Sequence, residues 1–143
     1  MKLIGPWMSG YTRRVGITLN LLGLPFEHLD WSGHAARDAI RQYSPMGKVP
    51  ALVLDDGDVL VDSSAIVDYL YELAGAGQTL LSAAGPQRRA ALYCAAVALE
   101  TYGKHSQIYM ELSRPAAGRH PARIEALLRQ VLTGFQMLEA RAG

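Results

Sequence analysis

The chain has 143 residues, half of them apolar and 19% charged, with a formal net charge of +1 and a single cysteine, Cys94. That length suits one domain, or one small domain with part of another, and the composition is that of a folded globular protein. A charge balance so near zero offers no field to recruit nucleic acid or acidic lipid. One cysteine excludes an internal disulfide and any cysteine-built metal cluster. Cys94 sits in the apolar helical run LYCAAVAL, where a buried, inert thiol is expected. The opening MKLIGPWMSG is too short and interrupted for a signal peptide. No apolar run approaches the roughly 20 residues needed to cross a bilayer, so a cytoplasmic location is expected.

Lys2 to Ile4 reads as a short strand closed by Gly5-Pro6. From about Tyr11 to Leu22, apolar Val15, Leu19 and Leu22 recur at i, i+4, i+7 and give a helix one face toward a core. Gly23 and Pro25 stop it, since glycine accepts the left-handed cap and proline cannot continue the helix. Phe26 to Trp31 alternates apolar and polar residues, a half-buried strand. Strand, helix, strand within about thirty residues is a βαβ unit with a parallel pair. A short helix is expected over Ala35 to Gln42, followed by the loop SPMGKVP.

Ala51–Leu54 and Val59–Val61 flank an acidic turn containing Asp56-Gly57, a strong hairpin signal. The run DSSAIVDYLYEL then starts a helix with Ile66, Leu70 and Leu73 on one face and a glycine-rich stop at Gly75 to Gly77. GAGQTLLSAAGP reads as a linker, after which the pattern is helical only. Pro86 suits a first helical position, and the helix it opens runs to about Ser113, with Gly103 its one weak point. Its first half is apolar nearly all round, which predicts close packing on more than one side, with another subunit as one partner to consider. RPAAGRHP breaks it, and from Ala122 a final helix carries Ile124, Leu127, Leu128, Val131, Phe135 and Leu138 as a wide apolar stripe.

Four local features bear on chemistry, and each has a bland reading beside the chemical one. Ser9, at the turn into the first helix, is a good helix cap and equally a hydroxyl beside an electropositive helix end that can hold an anion. In Lys48-Val49-Pro50, a cis bond before Pro50 would turn the Val49 backbone outward to pair with a peptide ligand. A plain loop proline and a solvated lysine are the alternative. Asp62-Ser63-Ser64 are capping residues ahead of an apolar run. The same helix end could take a carboxylate while Asp62 takes an ammonium, which suits a zwitterionic amino-acid head. Tyr102, His105 and Tyr109 share one helix face, whether for packing or for a ligand. The remaining histidines, His28, His34 and His120, are scattered, and with no HExxH motif a metal site is not expected.

The order of these features is more specific than any one of them. A hydroxyl after the first strand, K-V-P before a hairpin, D-S after it and then an all-helical segment resemble the glutathione S-transferase family, in its serine-type, bacterial-like form. SGYTRRV is similar to that family's S-P-[FY]-x-x-R-V stretch, MGKVPAL to the stretch around its cis-proline, and VDSSAIVDYL to its [ED]-S-x-A-I-x-x-Y-L helix start. The resemblance implies an α/β thioredoxin-like domain (β-α-β-α-β-β-α) over residues 1–75, a linker over 76–86 and a shortened all-α segment of two long helices over 87–143. It implies glutathione as co-substrate, no metal, a small hydrophobic electrophile as second substrate, and a homodimer. Ser9 would hydrogen-bond the glutathione sulfur. Val49 would pair through its backbone with the cysteinyl part beside cis-Pro50, and Lys48 would lie near the glycine carboxylate. Asp62 and Ser63 would hold the γ-glutamyl head, and Trp7, Tyr11, Tyr102, His105 and Tyr109 would wall the electrophile.

Two features depart from the family pattern. Gly10 stands where the family has proline, and the chain stops after the second long helix, which leaves the apolar stripe from Ile124 to Leu138 to be covered by dimerisation or helix exchange. The expected activity is conjugation of glutathione to small electrophiles, with a non-catalytic binding scaffold as the alternative. Thiol–disulfide exchange is disfavoured because position 9 is serine. The family's isomerase with two serines and a cysteine at this turn is disfavoured because Met8 and Gly10 flank Ser9.

Overall fold

Strand β1 (Lys2–Ile4), helix α1 (Gly10–Leu21) and strand β2 (Glu27–Leu29) form the expected βαβ unit, with β1 and β2 parallel. The computed structural model describes residues 1–32, 36–75 and 77–142. His34, the expected helix start at Ala35 and Ala76 of the expected linker lie outside them. Helix α1 ends as its glycine predicts: Gly23 takes φ +66° and Leu24 N–H donates back to the Leu19 carbonyl at 2.9 Å. A short helix α2 (Arg37–Arg41) follows, then strands β3 (Ala51–Val53) and β4 (Val59–Val61), an antiparallel hairpin turning through Gly57 at φ +96°. Helix α3 (Ser63–Ala74) completes the first of two units, Met1–Leu80 and a second from Leu81 onward.

The sheet order is β2-β1-β3-β4, with β1 antiparallel to β3. Alternation along each strand splits the core into two layers. Leu3 and Leu52 join Val15 and Leu19 of α1 and Ile66, Val67 and Leu70 of α3 in one cluster. Their sequence neighbours Ile4 and Ala51 join Ile40 of α2 in the other. A 12-residue helix is marginal alone in water. Transfer of each such aliphatic side chain contributes roughly 1.5–3 kcal/mol, so packing holds α1 and α3 in place. Leu73, expected on the core face, is 48% exposed, and Val67 is buried instead. A three-residue strand spans about 10 Å and a 12-residue helix about 18 Å, so α3 outruns the sheet it packs on.

The second unit holds α4 (Gly85–Leu112) and α5 (Pro121–Glu139), joined through a 3-10 turn at Ala116–Gly118. Pro86 lies in the first turn of α4, and Gly103 does not interrupt it. The two helices meet closely at Gly134, where an added Cβ would overlap the Thr101 hydroxyl and sit 3.0 Å from the Thr101 Cβ. Buried Glu111 closes the connection: one carboxylate oxygen accepts from the His120 N–H at 3.0 Å, the other lies 3.5 Å from Arg114 Nε. Within the single chain the first half of α4 is not covered all round: Leu92 and Tyr93 are exposed, and Cys94, expected to be buried, is half-buried. Of the α5 stripe only Leu127 is buried, while Leu128 is 47% and Phe135 59% exposed. Within the second unit each helix packs on the other, which covers one face of each. No helix among the described residues is long and apolar enough to cross a membrane.

Candidate functional site

The segment from Gly5 to Ser9 connects β1 to α1 and must pass close to two other parts of the first unit. Gly5 takes φ +136°, and a Cβ there would lie 2.5 Å from Thr12 Oγ1 and 2.9 Å from Val49 Cβ, so only glycine fits. Ser9 caps α1: its Oγ accepts from the Thr12 N–H at 3.3 Å, and its carbonyl accepts from the Arg13 N–H at 2.9 Å. The bland reading of Ser9 is therefore real, and it is compatible with the chemical one. A hydroxyl has acceptor capacity for the cap and one proton left to donate, here beside the positive end of a 12-residue helix.

A cleft of about 260 Å³, just below the usual range for ligand sites, gathers Lys48, Val49, Pro50, Asp62 and Ser63 with Tyr11, Ser44, Met46 and Val61. The Val49–Pro50 bond is cis. Buried Ser44 shapes the approach to it, accepting from the Lys48 N–H at 3.2 Å. Across the cleft, Asp62 takes φ +70°, a backbone conformation uncommon outside glycine. It caps α3 by accepting the Ser64 N–H at 2.8 Å. A carboxylate has about four acceptor positions, so this cap leaves capacity for an ammonium.

Ser63 is buried at the first position of α3. From α1, Arg14 places Nη1 3.0 Å from Ser64 Oγ and 3.4 Å from Ser63 Oγ. A guanidinium, a hydroxyl and the first N–H groups of a helix converge there, an arrangement suited to a carboxylate.

The cleft thus brings together the residues expected to hold the tripeptide apart from Ser9, and one expected for the electrophile, Tyr11. Ser9 does not line it but stands two residues before Tyr11. Trp7 does not line it either: its indole stacks on His28 at 4.0 Å between centroids and rests against Gly16. Tyr102 and His105 stack on each other along α4 in the second unit, 6.1 Å apart, and Tyr109 is exposed on the same helix. Among the described residues no group of three or more His, Cys, Asp or Glu could hold a metal ion. Ser44, Met46, Val61 and Arg14 belong to the site without having been singled out. Ser44-Pro45 opens a turn whose hydroxyl is legible as an acceptor for backbone ahead of it, and Arg14 stands at the arginine of the S-P-[FY]-x-x-R-V stretch, although nothing local shows which side chains it reaches.

The glutathione S-transferase N-terminal domain family matches residues 3–79. The chain belongs to the glutathione S-transferase family. Along its whole length it is 33% identical to a maleylpyruvate isomerase from Ralstonia sp., covering 98% of this chain and 68% of that protein. A glutathione transferase family member from Pseudomonas fluorescens Pf-5, solved with bound glutathione, superposes with a TM-score of 0.87 at 29% identity, over 99% of this chain and 71% of that one. A maleyl pyruvate isomerase described as a bacterial glutathione S-transferase of the Zeta class superposes at 0.77 with 32% identity, over 98% and 68%. The chain spans between 32% and 68% of the length of the curated relatives it matches. As in the rest of the family, its first unit is a thioredoxin-like sheet and helices, and long helices follow.

Proposed function

We propose that the chain binds glutathione in the cleft of its first unit and activates the glutathione thiol for attack on a small electrophile. The observation that supports this most is convergence: Lys48, Val49, Pro50, Asp62 and Ser63, separated by up to fifteen positions, line one cleft at the N-terminus of α3. The γ-glutamyl carboxylate would lie on Ser63 and the helix end, with the Arg14 charge behind them, and its ammonium on Asp62. The Val49 backbone would pair with the cysteinyl residue, and Lys48 would face the glycine carboxylate.

A free thiol has a pKa of about 8.5, so little thiolate exists at neutral pH. The Ser9 hydroxyl, donating to the sulfur, and the positive end of α1 both favour the anion and lower that pKa. The thiol proton leaves to solvent. The thiolate forms a bond to the electrophilic carbon while the leaving group departs with its electron pair, and Ser9 is never covalently modified.

A second reading is favoured by the full-length similarity to maleylpyruvate isomerase. The same thiolate could add reversibly to a conjugated cis double bond, let the resulting single bond rotate, and be expelled. Met8 and Gly10 beside Ser9 weigh against this reading and the overall similarity weighs for it. The exposed apolar residues Leu128, Leu132 and Phe135 on α5 support a homodimer, which sedimentation would detect.

The test is calorimetric titration with glutathione, followed by turnover with a reactive aryl halide and with a cis-configured conjugated diacid, comparing wild type with Ser9→Ala. Micromolar to millimolar binding with turnover lost in Ser9→Ala is the expected result. Binding without turnover of either substrate would make the chain a glutathione-binding scaffold, and no binding would refute the site.

A further inference from the structure

We propose that His28 and Trp7 are positioning residues for Ser9, an inference that rests on the role proposed for Ser9 above. The Gly5–Ser9 segment is held at its ends by backbone bonds, Gly5 N–H to the Leu29 carbonyl at 3.0 Å and Ser9 N–H to the Pro6 carbonyl at 2.9 Å. Between them, the imidazole of His28 reaches across from β2 and places Nε2 2.7 Å from the Gly5 carbonyl oxygen. That oxygen can only accept, so Nε2 carries the proton. The indole of Trp7, two residues further along the segment, lies on this same imidazole with 29° between the rings.

The other edge of the indole reaches α1. A Cβ on Gly16 would lie 2.5 Å from two atoms of the Trp7 six-membered ring. Glycine inside a helix disfavours the helix, so Gly16 calls for a reason, and room for Trp7 supplies one. One stack therefore ties β2, the connecting segment and α1 together, and Ser9 is the residue at which that segment becomes α1. The clamp does not depend on histidine ionisation: the neutral Nε2–H form and the imidazolium both donate, and a cation on an indole face is also attractive. Trp7 is thereby assigned to holding the Ser9 loop and not to the wall of the electrophile site.

Three variants test this: His28→Leu, which removes the donor, His28→Gln, which keeps an N–H donor at a similar reach, and Gly16→Ala, which displaces the indole. The readouts are amide hydrogen exchange over residues 5–10, the pH midpoint of the ultraviolet thiolate absorbance of bound glutathione, and kcat and KM with an aryl halide. His28→Leu and Gly16→Ala should speed exchange in that segment, move the thiolate midpoint upward and lower kcat about tenfold, the scale of a small misplacement of a reacting group. The KM for glutathione should stay within about twofold, because its binding residues lie elsewhere. His28→Gln should return most of the wild-type values.

An unchanged midpoint and kcat in His28→Leu would overturn the proposal. So would faster exchange throughout the first unit with kcat and KM worsening together, the signature of general destabilisation. A wild-type protein with no thiolate signal would instead refute the proposed function and the catalytic role of the clamp with it.

Discussion

Replacing Ser9 by alanine and, separately, by glycine separates its two roles, because helix capping and thiol activation rank these replacements differently. The Ser9 Oγ to Thr12 N distance of 3.3 Å lies at the long edge of the hydrogen-bond range, so its capping contribution belongs in the lower half of the usual span. Ser9→Ala should cost about 0.5–1 kcal/mol, and Ser9→Gly only a few tenths. For a unit of this size that corresponds to a fall in Tm of about 2–8 °C and about 1–2 °C, respectively. Thiol activation makes no such distinction, since neither replacement has a hydroxyl. A hydrogen bond to a charged group contributes about 1.5–3 kcal/mol, which is about 1–2 pH units in the thiolate midpoint. A free thiol keeps only about 3% thiolate at neutral pH, so both variants should lose about 8- to 25-fold of the thiolate there, and turnover with it. Thermal unfolding gives the first ranking, and ultraviolet titration of bound glutathione with steady-state turnover gives the second. Activity that follows the stability order, with glycine retaining what alanine loses, would show that Ser9 acts only as a cap. Full activity in both would show that its hydroxyl is not the sulfur's donor.

Gly134→Ala would ordinarily strengthen a helix by about 1 kcal/mol, but here the new methyl meets Thr101. A net loss of about 1–3 kcal/mol is expected in urea unfolding, largely recovered in the double variant with Thr101→Ala; a stabilised single variant would disprove the close approach of α4 and α5. Glu111→Ala leaves the His120 N–H at the start of α5 without its acceptor, and should destabilise the second unit by about 1–3 kcal/mol, read by hydrogen exchange around residues 108–124. Thr12 Oγ1 is buried with no hydrogen-bond partner among the described residues. Thr12→Val, of nearly the same shape, should be neutral or up to about 1 kcal/mol stabilising, and a loss beyond that in urea unfolding would reveal a bond to the hydroxyl.

The elements of the first unit, and the main residues that line its candidate cleft, are legible in the sequence alone. Val15 and Leu19 at helical spacing, Gly23 and Pro25 as a stop, and Asp56-Gly57 between apolar runs act on near neighbours, so each is legible in a short window. The K-V-P and D-S stretches are legible for the same reason, because a cis-proline turn and a capped helix start are both local structures. Tertiary structure alone decided that these stretches face one another across a cleft. It also decided that Arg14 reaches serines 49 and 50 positions away, and that His28 grips the Gly5 carbonyl beneath Trp7. Those contacts depend on the strand order β2-β1-β3-β4 and on helices crossing that sheet. The apolar stripe of α5 shows the same division: its period makes the helix, and only the number of neighbouring helices decides which of its residues are covered.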